Sequence, residues 1–168
     1  TLDSSIASRT DTVSCSVVVQ DSSGDTATDI ASVTLQNRAP STPNVQITPT
    51  TAYADSELTC SISGGGDDDG DAVTYSYSWS VNGTPIATAT ETLNTGFISG
   101  DSVECSVTPN DGLIDGTAGS ASVGISNTAP VVSSVTLTPN PAYTTDALTA
   151  TVTTSDLDND ALTLSYTW

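Results

Sequence analysis

The sequence contains no histidine, no lysine and no methionine, and its only cations among 168 residues are Arg9 and Arg38. Without histidine there is no Ser-His-Asp or Cys-His catalysis, no imidazole metal site and no switch titrating near neutral pH. Without lysine there is no Schiff base, no Walker-type phosphate loop and no Lys–Asn crosslink. No apolar run reaches the roughly 18 residues that a membrane-spanning helix needs. Against two cations stand 20 Asp and Glu, a net charge of −18, which repels phosphate backbones and anionic lipid surfaces. Nucleic acid and acidic membrane are therefore poor partners, and no nucleophile–base pair or cofactor cradle offers itself. The chain reads as non-catalytic. What is abundant is Ser and Thr, 55 of 168 residues.

The strongest positive signal is internal repetition. Asn37-Arg38-Ala39-Pro40 returns as Asn127-Thr128-Ala129-Pro130, Ala52-Tyr53 as Ala142-Tyr143, and Leu58-Thr59 as Leu148-Thr149. Asp11-Thr12-Val13-Ser14-Cys15-Ser16-Val17 returns as Asp101-Ser102-Val103-Glu104-Cys105-Ser106-Val107. All these pairs share an offset of 90. A unit of that length suits a small independent domain rather than a solenoid turn. The expected organisation is the C-terminal part of one repeat in 1–37, a complete repeat in 38–126 and the N-terminal part of a third in 127–168. The alternative is duplication inside one larger domain. Since the sequence shows no initiator Met or signal peptide and both ends fall inside the repeated pattern, it reads as a window cut from a longer polypeptide.

Within the complete repeat, apolar residues alternate with polar ones. Leu58, Cys60 and Ile62 share one strand face, and Val73, Tyr75, Tyr77 and Trp79 another. Val103, Cys105 and Val107 form a third face, and Ala121, Val123 and Ile125 a fourth. Period-two patterning with β-branched and aromatic residues is the mark of strands, and no stretch has helical periodicity. Asn82-Gly83 predicts a hairpin turn, because both residues tolerate positive φ. About seven short strands separated by turn signals predict an all-β fold of antiparallel Greek-key sandwiches.

The order Cys60, Trp79, Cys105 resembles the immunoglobulin fold, in which cysteines of the second and penultimate strands pair across the sheets over a tryptophan. The resemblance implies a Cys60–Cys105 disulfide and an oxidising, extracellular location. Its closed loop of ~46 residues corresponds to about 4 kcal/mol of chain entropy. Two reduced core cysteines remain the alternative. The corner tyrosine of antibody domains is absent, since Val103 stands two residues before Cys105. Cys15 aligns with Cys105, so its partner is expected upstream of Thr1. Ala150 stands where Cys60 would recur, so the third repeat is expected to lack the bond.

Asp67-Asp68-Asp69-Gly70-Asp71-Ala72 returns as Asp156-Leu157-Asp158-Asn159-Asp160-Ala161. Carboxylates packed this closely demand counter-charge, and hard divalent cations accept oxygen-only ligands. The helices and bidentate glutamate of an EF-hand are missing. The pattern resembles the Asp-x-Asp-Gly-Asp loops of cadherin-like and polycystic-kidney-disease-type repeats in microbial extracellular surface proteins. Asn37-x-Ala39-Pro40 resembles the linkers of cadherin repeats, with one residue added. The resemblance implies calcium at Asp67, Asp69 and Asp71 and again at Asp156, Asp158 and Asp160, with Asn37 and Asp111 as further candidates where the loops meet the linker. Plain solvated turns are the alternative. Asn82-Gly83-Thr84 is an N-glycosylation sequon.

These features lead to one expectation: a structural or adhesive module of a long secreted or cell-surface repeat protein, such as a stalk, an adhesin shaft or a filament. Its partners would be neighbouring repeats, other copies in a filament or a cell-surface ligand. The rival is an accessory module binding carbohydrate or protein beside a secreted enzyme. The scarcity of aromatics, 5% of the chain, counts against a sugar-stacking face.

Overall fold

The structure, a computed structural model, describes residues 1–3 and 6–168. The described residues hold twelve strands and no α-helix. In chain order these are β1 (Thr12–Gln20), β2 (Thr26–Thr34), β3 (Pro43–Thr48), β4 (Ala52–Tyr53), β5 (Leu58–Gly64) and β6 (Thr74–Val81). They continue with β7 (Thr84–Ile86), β8 (Thr92–Leu93), β9 (Ser102–Asn110), β10 (Gly119–Ser126), β11 (Val131–Thr138) and β12 (Thr149–Ser155). No described helix is long and apolar enough to cross a membrane.

The residues gather into two compact units. The first comprises Thr1–Pro43, Gly64–Tyr75 and Thr108–Ala118. It contains the β1–β2 hairpin, the Asn37 linker and the loops that follow β5 and β9. The second comprises Asn44–Ser63, Ser76–Val107 and Gly119–Trp168. It contains the packed core and the β11–β12 hairpin.

In the second unit one sheet has the order β3-β5-β8 and the other β4-β10-β9-β6-β7. Successive strands switch repeatedly between the two sheets, which is the Greek-key habit of an immunoglobulin-like sandwich. The alternation read from the sequence decides which side chains enter. Val45, Ile47, Leu58 and Cys60 from one sheet are buried, as are Trp79, Val103, Cys105, Val107, Val123 and Ile125 from the other. Trp79 is 1% exposed, and its indole Nε1 donates to Thr90 O at 2.9 Å, which satisfies the one polar atom that burial would otherwise strand. Cys60 and Cys105 are bonded, tying β5 to β9 across the sheets over a separation of 45 residues. The Asn82-Gly83 turn joins β6 to β7 with φ of 50° and 78°, both in the left-handed region that this residue pair accepts.

The pairing of β1 with β2 matches that of β9 with β10 at the same offset. Cys15 faces Ala31 and Val13 faces Val33, where Cys105 faces Ala121 and Val103 faces Val123. The hydrogen bonds that close the two hairpins repeat as well. Thr10 N donates to Leu35 O and Leu35 N to Asp11 O, while Gly100 N donates to Ile125 O and Ile125 N to Asp101 O. Cys15 is free and exposed.

Candidate metal centre

The acidic run Asp67–Asp71 follows β5, and its own side chains fold it. Asp67 Oδ1 accepts the backbone N–H of Asp69 at 2.7 Å and of Asp71 at 3.5 Å, an Asx turn completed by Gly70 at φ 83°. This curl brings carboxylate oxygens of Asp67, Asp69 and Asp71 within 4.8 Å of one another. Among the described residues it is the one group of three metal-ligating side chains so gathered. Asp67 Oδ2 is buried and accepts no hydrogen bond from the described residues. Oxygen-only donors and an unsatisfied buried carboxylate oxygen fit a hard divalent cation.

Two arginines meet these acids from the linker side. Arg9 Nη1 lies 2.8 Å from Asp71 Oδ2, with both side chains about a quarter exposed. Arg38 donates its backbone N–H to Asp69 Oδ2 at 2.7 Å and its Nη1 to Asp69 Oδ1 at 3.1 Å. The chain's entire complement of cations therefore stands at one loop. The composition pointed to missing counter-charge but not to these two residues; their presence in a chain otherwise devoid of cations was the available signal.

Asn37 joins the linker to the same place. Its Oδ1 accepts from Arg9 Nη1 at 3.1 Å and its Nδ2 donates to Asp111 Oδ2 at 2.8 Å. Asp111, only 3% exposed, is the buried charged residue among those described. Its Oδ1 accepts the backbone N–H groups of Leu113 and Ile114, both at 2.8 Å, and its carbonyl accepts from Arg9. The hydrogen bond from Asn37, then those from the loop N–H groups, with a smaller contribution from the Arg9 charge, hold its carboxyl down at about 2. Gly116 completes the seat. A Cβ there would collide with Pro40 O, so only glycine lets the linker pass so close. Asp67, Asp69, Asp71, Asp111 and Asn37 thus share one site, Asp111 as its structural anchor.

The loop Asp156–Asp160 repeats the curl but not the counter-charge. Asp156 Oδ1 accepts from Asp158 N at 2.9 Å and Asp160 N at 3.3 Å, and Asn159 takes the glycine's place at φ 61°. Thr128 N donates to Asp158 Oδ2 at 2.5 Å, as Arg38 N does to Asp69. Ser99 Oγ contacts Asn127 Oδ1 at 3.4 Å, where Arg9 contacts Asn37. Asp158 Oδ1 and Thr128 Oγ1 are buried and accept no hydrogen bond among the described residues. The carboxylates of this loop are not gathered as tightly as those of Asp67–Asp71.

Asn82, the sequon residue, is exposed and uses its amide within the fold: Nδ2 donates to Asp101 Oδ1 at 2.7 Å and Oδ1 accepts from Ser102 N at 3.0 Å.

No known family profile matches the sequence, and no curated protein matches it. Among solved structures, the chain is similar to domains d3–d4 of the rat CD45 extracellular region, with 10% sequence identity and a TM-score of 0.47. The match covers 69% of this chain and 64% of that one, so the chain spans just under two thirds of its neighbour's length.

Proposed function

We propose that this chain is a non-catalytic structural module of a long secreted or cell-surface repeat protein, a shaft or filament segment in which sandwiches follow one another and transmit tension. The observation that carries this reading is the recurrence of the same hairpin register, turn hydrogen bonds and acidic loop at a spacing of about 90 residues. A repeated unit without a catalytic constellation is suited to building length. The Cys60–Cys105 bond supports an oxidising, extracellular setting. Calcium is the cation of this reading. It would be held by Asp67, Asp69 and Asp71, and by Asp156, Asp158 and Asp160 where no arginine stands opposite.

Two measurements test the proposal. Single-molecule stretching of the chain under oxidising conditions should leave the 45-residue span between Cys60 and Cys105 folded away. Reductant should lengthen the unravelled contour by about 150 Å, at roughly 3.4 Å per residue. A sandwich that yields without a measurable force peak would remove the load-bearing role. Thermal unfolding at fixed ionic strength should show a higher midpoint in calcium than in chelator. The rise should vanish in the six-fold Asp→Asn variant at positions 67, 69, 71, 156, 158 and 160. An unchanged midpoint would leave acidic spacer modules without metal.

A further inference from the structure

Residues 35–42 carry the chain from β2 to β3 without regular secondary structure, and a connection of that kind is ordinarily mobile. Here it is fastened to the loops that follow β5 and β9. Asn37 Nδ2 donates to Asp111 Oδ2 at 2.8 Å, and Arg38 N to Asp69 Oδ2 at 2.7 Å. Pro40 is buried, with its carbonyl seated over Gly116. Ser41 donates its backbone N–H and its Oγ to Gly66 O, at 2.9 and 2.8 Å.

Fastening the linker does not by itself fix the β1–β2 hairpin, which could still turn about Leu35 and Gln36. Arg9 supplies the second attachment. Its backbone belongs to the hairpin: Thr10 N donates to Leu35 O at 3.0 Å, Asp11 N to Ser8 O at 3.2 Å and Ser8 N to Asp11 Oδ2 at 2.9 Å. Its guanidinium reaches three other segments. Nη1 donates to Asn37 Oδ1 at 3.1 Å, Nη1 and Nη2 donate to Asp111 O at 3.2 and 3.3 Å, and Nη1 lies 2.8 Å from Asp71 Oδ2. A planar group with several N–H donors can serve these acceptors together, which a point-charged ammonium does not.

The linker's own bonds recur at an offset of 90 without the arginine. Asn127 Nδ2 donates to Thr128 O at 3.0 Å, as Asn37 Nδ2 does to Arg38 O at 2.9 Å. Thr128 N donates to Asp158 as Arg38 N does to Asp69. Ser99 stands where Arg9 would, too short and uncharged to span segments. The arginine is thus an addition to a linker that is otherwise the same.

We infer that Arg9 is a clamp: it binds the linker and both acidic loops at once and turns the connection between the β1–β2 hairpin and those loops from a hinge into a fixed joint. The clamp requires no metal, so it holds or fails separately from the calcium reading. Because the Arg9 and Asp71 side chains are about a quarter exposed, salt loosens it by screening.

The free, exposed Cys15 makes the joint measurable in the full chain. A spin label there and a second at Leu113→Cys, exposed in the loop after β9, report the separation of hairpin and loop by pulsed electron paramagnetic resonance without reductant. In chelator and low salt the distance distribution should be narrow, and Arg9→Ser should widen it by about twofold, with Arg9→Lys rescuing little. High salt should widen the parent distribution toward that of Arg9→Ser. Amide hydrogen exchange separates release of the joint from loss of the hairpin. In Arg9→Ser the N–H groups of Arg38, Leu113 and Ile114 should exchange several-fold faster, while those of the β1–β2 ladder keep their protection. Three results would overturn the inference: an equally narrow distribution in Arg9→Ser, a broad parent distribution that narrows only when calcium is added, or full rescue by Arg9→Lys.

Discussion

The loops Asp67–Asp71 and Asp156–Asp160 share a backbone conformation and differ in what neutralises them. In the first, Arg9 and Arg38 reach Asp71 and Asp69. In the second, Ser99 and Thr128 occupy the equivalent positions and bring no charge. The Asx turn depends only on aspartate oxygens bonding to N–H groups two and four residues ahead, so it forms in both places. The counter-charge depends on residues distant in sequence, so it varies. The strands follow the same local rule: β1–β2 and β9–β10 share a register at an offset of 90.

The largest expected effects separate the buried copy from the open one. Trp79→Ala should destabilise the fold by about 3–5 kcal/mol, whereas Trp168→Ala in dilute solution should stay within about 0.5 kcal/mol. Denaturant titration checks both, and a Trp168 effect as large as that of Trp79 would erase the contrast. Next comes the disulfide. The double variant Cys60→Ala, Cys105→Ala should lose about 4 kcal/mol, and Cys15→Ala almost nothing, as read from the same titration.

Asp111 supplies a pH-dependent effect. Its carboxyl titrates at about 2 in the folded chain, below the roughly 3.9 of an unfolded aspartate. A depressed folded value means that the stabilisation is present above about 4 and is lost as pH falls toward 2. Asp111→Asn should therefore lower the unfolding midpoint at neutral pH, and the gap from the parent chain should close on acidification. A gap that is constant from pH 7 to pH 2 would show that the charge contributes nothing.

The smallest effect tests the loops directly. Arg9→Ser, which installs the residue of the second loop in the first, should cost on the order of 1 kcal/mol in chelator, because its ion pair is partly exposed. It should also enlarge the calcium-induced rise in midpoint. Ser99→Arg should reduce that rise. Calorimetry in calcium and in chelator reads both, and equal calcium responses in all three proteins would mean that arginine and metal do not compete.

Much of the fold was legible in short words of sequence. Strand faces such as Leu58/Cys60 and Val103/Cys105/Val107 followed from period-two alternation, and Asn82-Gly83 from its tolerance of positive φ. The meeting of Asp67, Asp69 and Asp71 with Asp111 and Asn37 followed from where such a topology places its loops. The partners of those acids did not. Arg9 lies 62 residues from Asp71, and nothing in the spacing of either reveals that the chain returns there. Asp111 was expected as a further calcium candidate, but its burial and its role as anchor were not legible, because burial is a property of the surroundings rather than of the Pro-Asn-Asp-Gly word that contains it.

The sequence by itself determined the local conformations, because side-chain alternation, Asx turns and glycine-dependent turns are set by neighbours a few residues apart. It therefore wrote the same hairpin and the same acidic curl more than once. Only the tertiary structure decided which carboxylate meets a guanidinium and which aspartate is buried. Those outcomes depend on segments far apart in the chain coming together, and they differ between copies whose local sequences are nearly the same.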